Sequence, residues 1–171
     1  GLITAVDVVS TPHKDFSKIA IAALKEADIF FVNELEASWI VGYDVTFENI
    51  IIAIREIAKL GSPGTVVIHM PEGAVAYNLA KGELVTQPSV AIPPKKIIGA
   101  TGAGDAFATG FLYGVHERYS LQKSLQLAVS VAAMSLTHST PSEGILPLSE
   151  VMKFGEIHGY YKLEKIDNLC F

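Results

Sequence analysis

The chain has 171 residues, 50% of them hydrophobic and 18% charged, which suits one domain long enough to bury a sizeable core. Lys and Arg total 13 against 18 Asp and Glu, and the formal charge of −5 argues against nucleic acid or an anionic membrane as the main partner. Apolar runs such as residues 19–24 and 131–134 fall far short of the about 20 residues a membrane span needs.

Gly1-Leu2-Ile3-Thr4 lacks the basic and apolar pattern of a signal peptide. With Cys170 as its one cysteine the chain can form no internal disulfide, so a reducing, cytoplasmic location is expected. No repeat, low-complexity tract or long linker interrupts it. In chain order, residues 2–9 are rich in β-branched side chains and predict a strand ending at Ser10-Thr11-Pro12. Apolar residues at 16, 19, 20, 23, 24 and 27 recur at helical spacing. Residues 29–32 form a continuous apolar run, as expected of a strand covered on both faces. Thr46 is placed to cap a helix whose stripe is Phe47, Ile50, Ile51, Ile54, Ile57 and Ala58, closing near Gly61. Residues 65–70 predict another buried strand, and 74–77 with 84–86 a hairpin whose turn contains Gly82. Ile97-Ile98 is expected to end a short strand, followed by helices over about 104–116, 121–136 and 149–157. Strands alternating with helices imply an α/β layered domain, with ligands at the carboxyl ends of the strands.

The strongest local signal is Gly99-Ala100-Thr101-Gly102-Ala103-Gly104-Asp105-Ala106-Phe107. Gly102 and Gly104 are expected to allow positive φ values and close approach of a ligand. The first N–H groups of the following helix lack intrahelical partners and carry the positive end of the helix dipole, a setting for an anion. Asp105 would then be a first-turn carboxylate able to take a proton from an alcohol during phosphoryl transfer. From spacing alone, a purely structural strand-to-helix turn is an equal alternative. No Gly-Lys-Ser/Thr follows, so the segment is not a Walker P-loop.

Thr101-Gly102-Ala103-Gly104-Asp105-Ala106-Phe107 followed by Gly110-Phe111 resembles the C-terminal signature of ribokinase-like, PfkB-type carbohydrate kinases. The resemblance implies a ribokinase-like layered α/β/α fold with a mostly parallel sheet. It implies Asp105 as general base and the backbone of Gly102, Ala103 and Gly104 as an anion hole for the γ-phosphoryl group. Gly99 and Ala100 stand where the family usually has Asp (or a similar polar residue) and Thr. In several members that Asp helps hold a monovalent cation, so the substitution argues against such a site here. Thr109 replaces a usually small Ala.

Asn33-Glu34-Leu35-Glu36 follows the 29–32 strand and resembles the family's N-x-x-E motif. Asn33 and Glu36 are thereby implied to organise hydrated Mg²⁺, whereas by themselves they read as an N-cap and a first-turn acid. His69-Met70-Pro71-Glu72-Gly73 stands where a glycine turn often contacts the nucleotide. Pro71 replaces the first Gly, leaving Gly73 as the candidate contact. In the polar stretch His138–Gly144 (residues 138–144) Ser139 is the candidate contact beside the adenine pocket. The five histidines lack metal-ligand spacing, so most are expected at the surface or in packing, and Trp39 and Met134 are assigned to the core.

The resemblance extends from about Thr4 to Phe154 but covers only the second half of the family's usual domain. Residues 1–171 are therefore expected to form a single partial domain, the nucleotide-binding portion, without the N-terminal half and its β lid. Half a wound sheet leaves an open edge, so self-association or a need for the other half is expected. The implied activity is ATP- and Mg²⁺-dependent phosphorylation of a sugar or related hydroxyl. The rivals are a catalytically inactive nucleotide- or phosphate-binding module and an α/β interaction domain that binds no nucleotide.

Overall fold

A computed structural model describes residues 1–62, 64–140 and 142–162 of the chain. Pro141, within the 138–144 stretch, and Cys170 lie outside the described residues. The described residues fall into two compact units, one of 1–62, 64–70 and 75–85, the other of 71–74, 86–140 and 142–162.

In the first unit, β1 (Ala5–Asp7), β2 (Ile29–Asn33) and β3 (Thr65–Met70) pair in parallel, with Phe31 opposite Asp7 on one side and Val67 on the other. The first four residues of β2 and of β3 are all buried, as a strand covered on both faces requires. Helices α1 (Phe16–Leu24), α2 (Glu34–Val41) and α3 (Ile50–Lys59) connect and flank them, with α1 against α2 and α3 against β3. Ile50, Ile51, Ile54, Ile57 and Ala58 of α3 are buried while Ile52 is exposed, so the apolar stripe read from the sequence is the packed face. The cap is different. Thr46 and Asn49 close a turn before the helix, and Asn49 occupies the N-cap position. The Asn49 carboxamide accepts from the Thr46 N–H and donates to the Asp44 carbonyl, bonds that a threonine at 46 could not make.

The strand order is β1-β2-β3-β4-β5, with β4 (Gly73–Asn78) and β5 (Glu83–Pro88) completing the sheet. Two residues separate β3 from β4 and four separate β4 from β5, connections that only antiparallel neighbours can use, so the sheet is parallel over β1–β3 and mixed overall. Gly82, at φ +63°, turns the hairpin.

The second unit carries α4 (Ala103–His116), α5 (Leu121–Leu136) and α6 (Leu148–His158), with α5 packed against both others. Ala106, Leu127, Val131, Met134 and Val151 form its buried cluster, which places Met134 in the core as read from the sequence. A Cβ on Gly110 would lie 3.0 Å from the Ala128 Cα, and one on Gly114 2.8 Å from the Ser124 Cα. Helices α4 and α5 therefore approach along a seam that side chains would hold apart. The expected strand end at Ile97-Ile98 does not form. Residues Pro94–Lys96 make a 3₁₀ turn, and both isoleucines are exposed, at 43% and 65%. Pro93 and Pro94 remove two ladder donors, and the Ile98 N–H instead donates to the terminal carbonyl of Leu136 in α5. Trp39 is half-buried, edge-on to Phe16 at 4.9 Å.

Among the described residues no helix is long and apolar enough to cross a membrane.

Candidate functional site

The first group of candidate residues stands at the carboxyl ends of β1–β3. Asn33 closes β2 in extended geometry and caps α2, its side-chain Oδ1 accepting from the Glu36 N–H at 2.9 Å. Glu36 returns the bond, its Oε2 accepting from the Asn33 N–H at 2.9 Å, which completes a capping box. A third residue joins them. The Ser10 hydroxyl, on the loop after β1, donates to Glu36 Oε1 at 2.7 Å and accepts from Asn33 Nδ2 at 3.1 Å. Glu36 is only 2% exposed, and each of its carboxylate oxygens is held by one protein donor. Sequence reasoning placed Asn33 and Glu36 together but missed Ser10, whose one signal was its position at a strand's carboxyl end.

His69 is the register partner of Asn33 at the end of β3, so the two side chains leave the same face of the sheet. It is half-buried, and burial pushes its imidazole down to about 4. The ordinary value is 6.5, so the unfolded chain binds the proton more readily than the folded one. The stability due to neutral His69 is present above pH 6.5 and is lost as pH falls toward 4, by on the order of 3 kcal/mol. Urea titrations between pH 7 and 4 should show a steeper loss for the natural chain than for His69→Gln. Parallel curves would contradict this assignment.

Oxygen donors suit Mg²⁺. Both Glu36 oxygens already hold a protein donor, and among the described residues no group of three or more His, Cys, Asp or Glu is placed to hold a metal ion directly. The remaining lone pairs of Glu36 and Ser10 fit waters of a hydrated ion better than direct ligation.

The second group lies in the second unit. Gly102 is the N-cap of α4 at φ +79°, a left-handed conformation that favours glycine. Gly104 does not share that conformation. It is the second residue of α4, in ordinary helical geometry, because the turn is already completed at Gly102. The Ala106 N–H makes a helical bond to the Gly102 carbonyl at 2.9 Å. The Ala103 N–H is engaged by the Ala100 carbonyl at 3.2 Å, leaving the Gly104 and Asp105 N–H groups as the helix-terminal donors that have no intrahelical acceptor. Asp105 is exposed in this first turn, so its carboxylate and these donors share the positive end of α4. Thr109 donates to the Asp105 backbone carbonyl at 2.7 Å, a local helix bond that uses the added hydroxyl.

The loop after α5 borders this turn. The Gly99 N–H reaches the Leu136 carbonyl at 3.4 Å, and a Cβ on Gly99 would lie 3.7 Å from the His138 carbonyl oxygen. Ser139 is exposed on that loop, while Thr140 donates to Glu143 Oε2 at 2.8 Å. Gly73 begins β4, buried and in ordinary strand conformation, and the preceding Glu72 carbonyl accepts from the Ser89 N–H.

Comparison with known proteins gives this geometry a family. The chain is similar to a 5-dehydro-2-deoxygluconokinase of Clostridium botulinum, 29% identical over 94 residues covering 55% of this chain and 26% of that protein. It is also similar to a cytidine kinase of Thermococcus kodakarensis, 31% identical over 109 residues, 64% of this chain and 37% of that one. Among solved structures, Arabidopsis thaliana ribokinase complexed with ribose and ATP superposes with a TM-score of 0.68 at 25% identity, over 80% of this chain and 43% of that one. The chain thus spans less than half the length of each of these proteins. The sequence model of the pfkB family carbohydrate kinases matches residues 4–147, a stretch that holds Ser10, the Asn33–Glu36 pair and the Gly102–Asp105 turn. The chain belongs to the pfkB family of carbohydrate kinases and has its ribokinase-like layered α/β fold.

Proposed function

We propose that the protein works as an ATP-dependent kinase that phosphorylates a hydroxyl of a sugar or related small molecule, with Asp105 as the general base. The observation that carries this reading is the start of α4, where an exposed carboxylate and two helix-terminal N–H groups without an intrahelical acceptor follow the left-handed turn at Gly102. Asp105 takes the proton of the acceptor hydroxyl as its oxygen bonds to the γ-phosphorus. The bond to the β–γ bridging oxygen breaks, and ADP leaves with that electron pair. The N–H groups of Gly104 and Asp105 stabilise charge on the transferring group, with Gly102 and Ala103 shaping the turn that aims them.

Asn33 and Glu36 hold hydrated Mg²⁺ through its waters, and the ion when bound neutralises charge on the phosphates. Gly99 and Ala100 bring no side-chain oxygen for a monovalent cation. Ser139 lines the adenine side, and Gly73 is the weaker nucleotide contact because its conformation is that of an ordinary strand residue. The two relatives, a 5-dehydro-2-deoxygluconokinase and a cytidine kinase, support a sugar or related acceptor. Such a kinase draws on cytoplasmic ATP.

β1 is terminal in the strand order, and Leu2, Ile3 and Val9 beside it are exposed. That edge suits coverage by the remaining half of a family-length kinase, or self-association without it.

Calorimetric titration of ATP and Mg²⁺ into the protein tests the reading. Binding that survives Asp105→Asn and weakens with Asn33→Ala is expected. Absence of binding in every form would overturn it. Binding with no transfer to any sugar or nucleoside, in a family-length form, would favour the catalytically inactive module.

A further inference from the structure

The capping box of α2 fixes two of the four polar side-chain atoms of Asn33 and Glu36, namely Asn33 Oδ1 and Glu36 Oε2. The other two, Asn33 Nδ2 and Glu36 Oε1, are not set by the helix terminus at all. Each is held by one atom, the Ser10 hydroxyl, at 3.1 and 2.7 Å. We propose that Ser10 is a positioning residue for this kinase, holding the Asn33 carboxamide and the Glu36 carboxylate in the orientation in which they meet the waters of a nucleotide-bound Mg²⁺. The inference rests on the function proposed above and adds a residue to its machinery.

The direction of the bonds supplies the reason. A carboxylate only accepts, so the single Ser10 proton must go to Glu36 Oε1. The Ser10 oxygen is then free to accept, and it takes one of the two Asn33 Nδ2 protons. The chain of donors therefore runs one way, from Asn33 through Ser10 to Glu36, and it closes through the two backbone bonds of the capping box. In that closed arrangement Asn33 cannot exchange its amide oxygen and nitrogen without losing both of its side-chain bonds. What remains for a ligand is one Nδ2 proton, a lone pair on Ser10 Oγ and the spare lone pairs of the carboxylate. Without Ser10 the backbone bonds persist, but Asn33 Nδ2 and Glu36 Oε1 lose the contact that orients them.

Ser10 sits 26 residues before Glu36 and comes from a different loop, between β1 and α1. The helix cap does not need it. Ser10 is itself exposed, so removal of its hydroxyl opens no cavity in the core.

Nucleotide binding measured by calorimetry over a range of Mg²⁺ concentrations, and again with Mg²⁺ chelated, tests the proposal on the whole protein. Ser10→Ala is expected to raise the Mg²⁺ concentration needed for half-maximal binding about fivefold, the effect of one lost hydrogen bond. It should leave the Mg²⁺-free affinity unchanged. Ser10→Thr, which keeps the hydroxyl, should restore the Mg²⁺ requirement to within about twofold of the natural chain. An unchanged requirement in Ser10→Ala overturns the inference, as does an equal loss of binding with and without Mg²⁺. If the natural chain itself shows no Mg²⁺-dependent binding, the functional reading fails and this inference fails with it. Mg²⁺-dependent binding that ignores Ser10→Ala sinks the inference alone.

Discussion

Asp105→Asn is expected to lower phosphoryl transfer about 10³-fold in a family-length form of the enzyme while leaving ATP affinity within about threefold. The two side chains have the same shape, and position 105 is an exposed place in the first turn of α4, so neither packing nor the turn at Gly102 is disturbed. The change removes proton-accepting capacity alone. An amide cannot take the hydroxyl proton, so the acceptor oxygen would have to attack while still protonated or release its proton to water. The Gly104 and Asp105 N–H groups are backbone donors and survive the substitution, which is why binding should persist. Loss of some favourable interaction with the helix dipole is worth at most about 1 kcal/mol, too little to unfold the unit. Rapid-quench single-turnover assays beside calorimetry separate the two effects. Retained turnover would remove Asp105 from the role of base, and parallel loss of turnover and affinity would make it a binding residue.

The sequence disclosed the elements whose signal is local. Helix α5 runs over Leu121–Leu136 and β3 over Thr65–Met70, the spans read from periodicity, because their apolar patterns are long and covered on the expected faces. Helix α2 was legible from Asn33 and Glu36, since a capping box is a four-residue device. The same four residues also resemble a metal motif; in the structure the pair caps the helix with one half of its polar atoms and turns the other half toward Ser10. What escaped was tertiary. Ile97-Ile98 looked like a strand end because an apolar dipeptide carries no information about which partner its backbone finds, and here Ile98 finds the end of α5. Thr46 is a good capping residue by type, yet Asn49 sits at the N-cap, its carboxamide accepting from Thr46 and donating to Asp44. Gly104 was paired with Gly102 as a positive-φ residue, but one left-handed residue is enough to enter the helix. Ser10 carried only its place after a strand's carboxyl end as a signal, because nothing within its own loop predicts a partner from the start of α2.

Glu36 offers the second large effect, and two substitutions there separate its structural work from its proposed chemistry. Glu36→Ala removes the acceptor for the Asn33 N–H and for the Ser10 hydroxyl in a place that is 2% exposed. Two bonds to a charged group and half a capping box are lost, so stability should fall by about 3 kcal/mol, or roughly 10 °C in Tm. Glu36→Gln behaves differently. Its amide oxygen can still accept from the Asn33 N–H, since Gln serves in a capping box as Glu does. Its amide nitrogen would face Ser10, whose hydroxyl can rotate to accept a second donor, so the stability cost should stay near 1 kcal/mol. The negative charge is gone, however, and with it the acceptor that draws the waters of a divalent cation. Glu36→Gln is therefore expected to melt close to the natural chain by calorimetry yet need about tenfold more Mg²⁺ for nucleotide binding. If it melts normally and keeps the natural Mg²⁺ requirement, Glu36 is a helix cap and nothing more. Asn33 would then have to order the ion without it, and a neutral carboxamide attracts a hydrated cation less strongly than a carboxylate does.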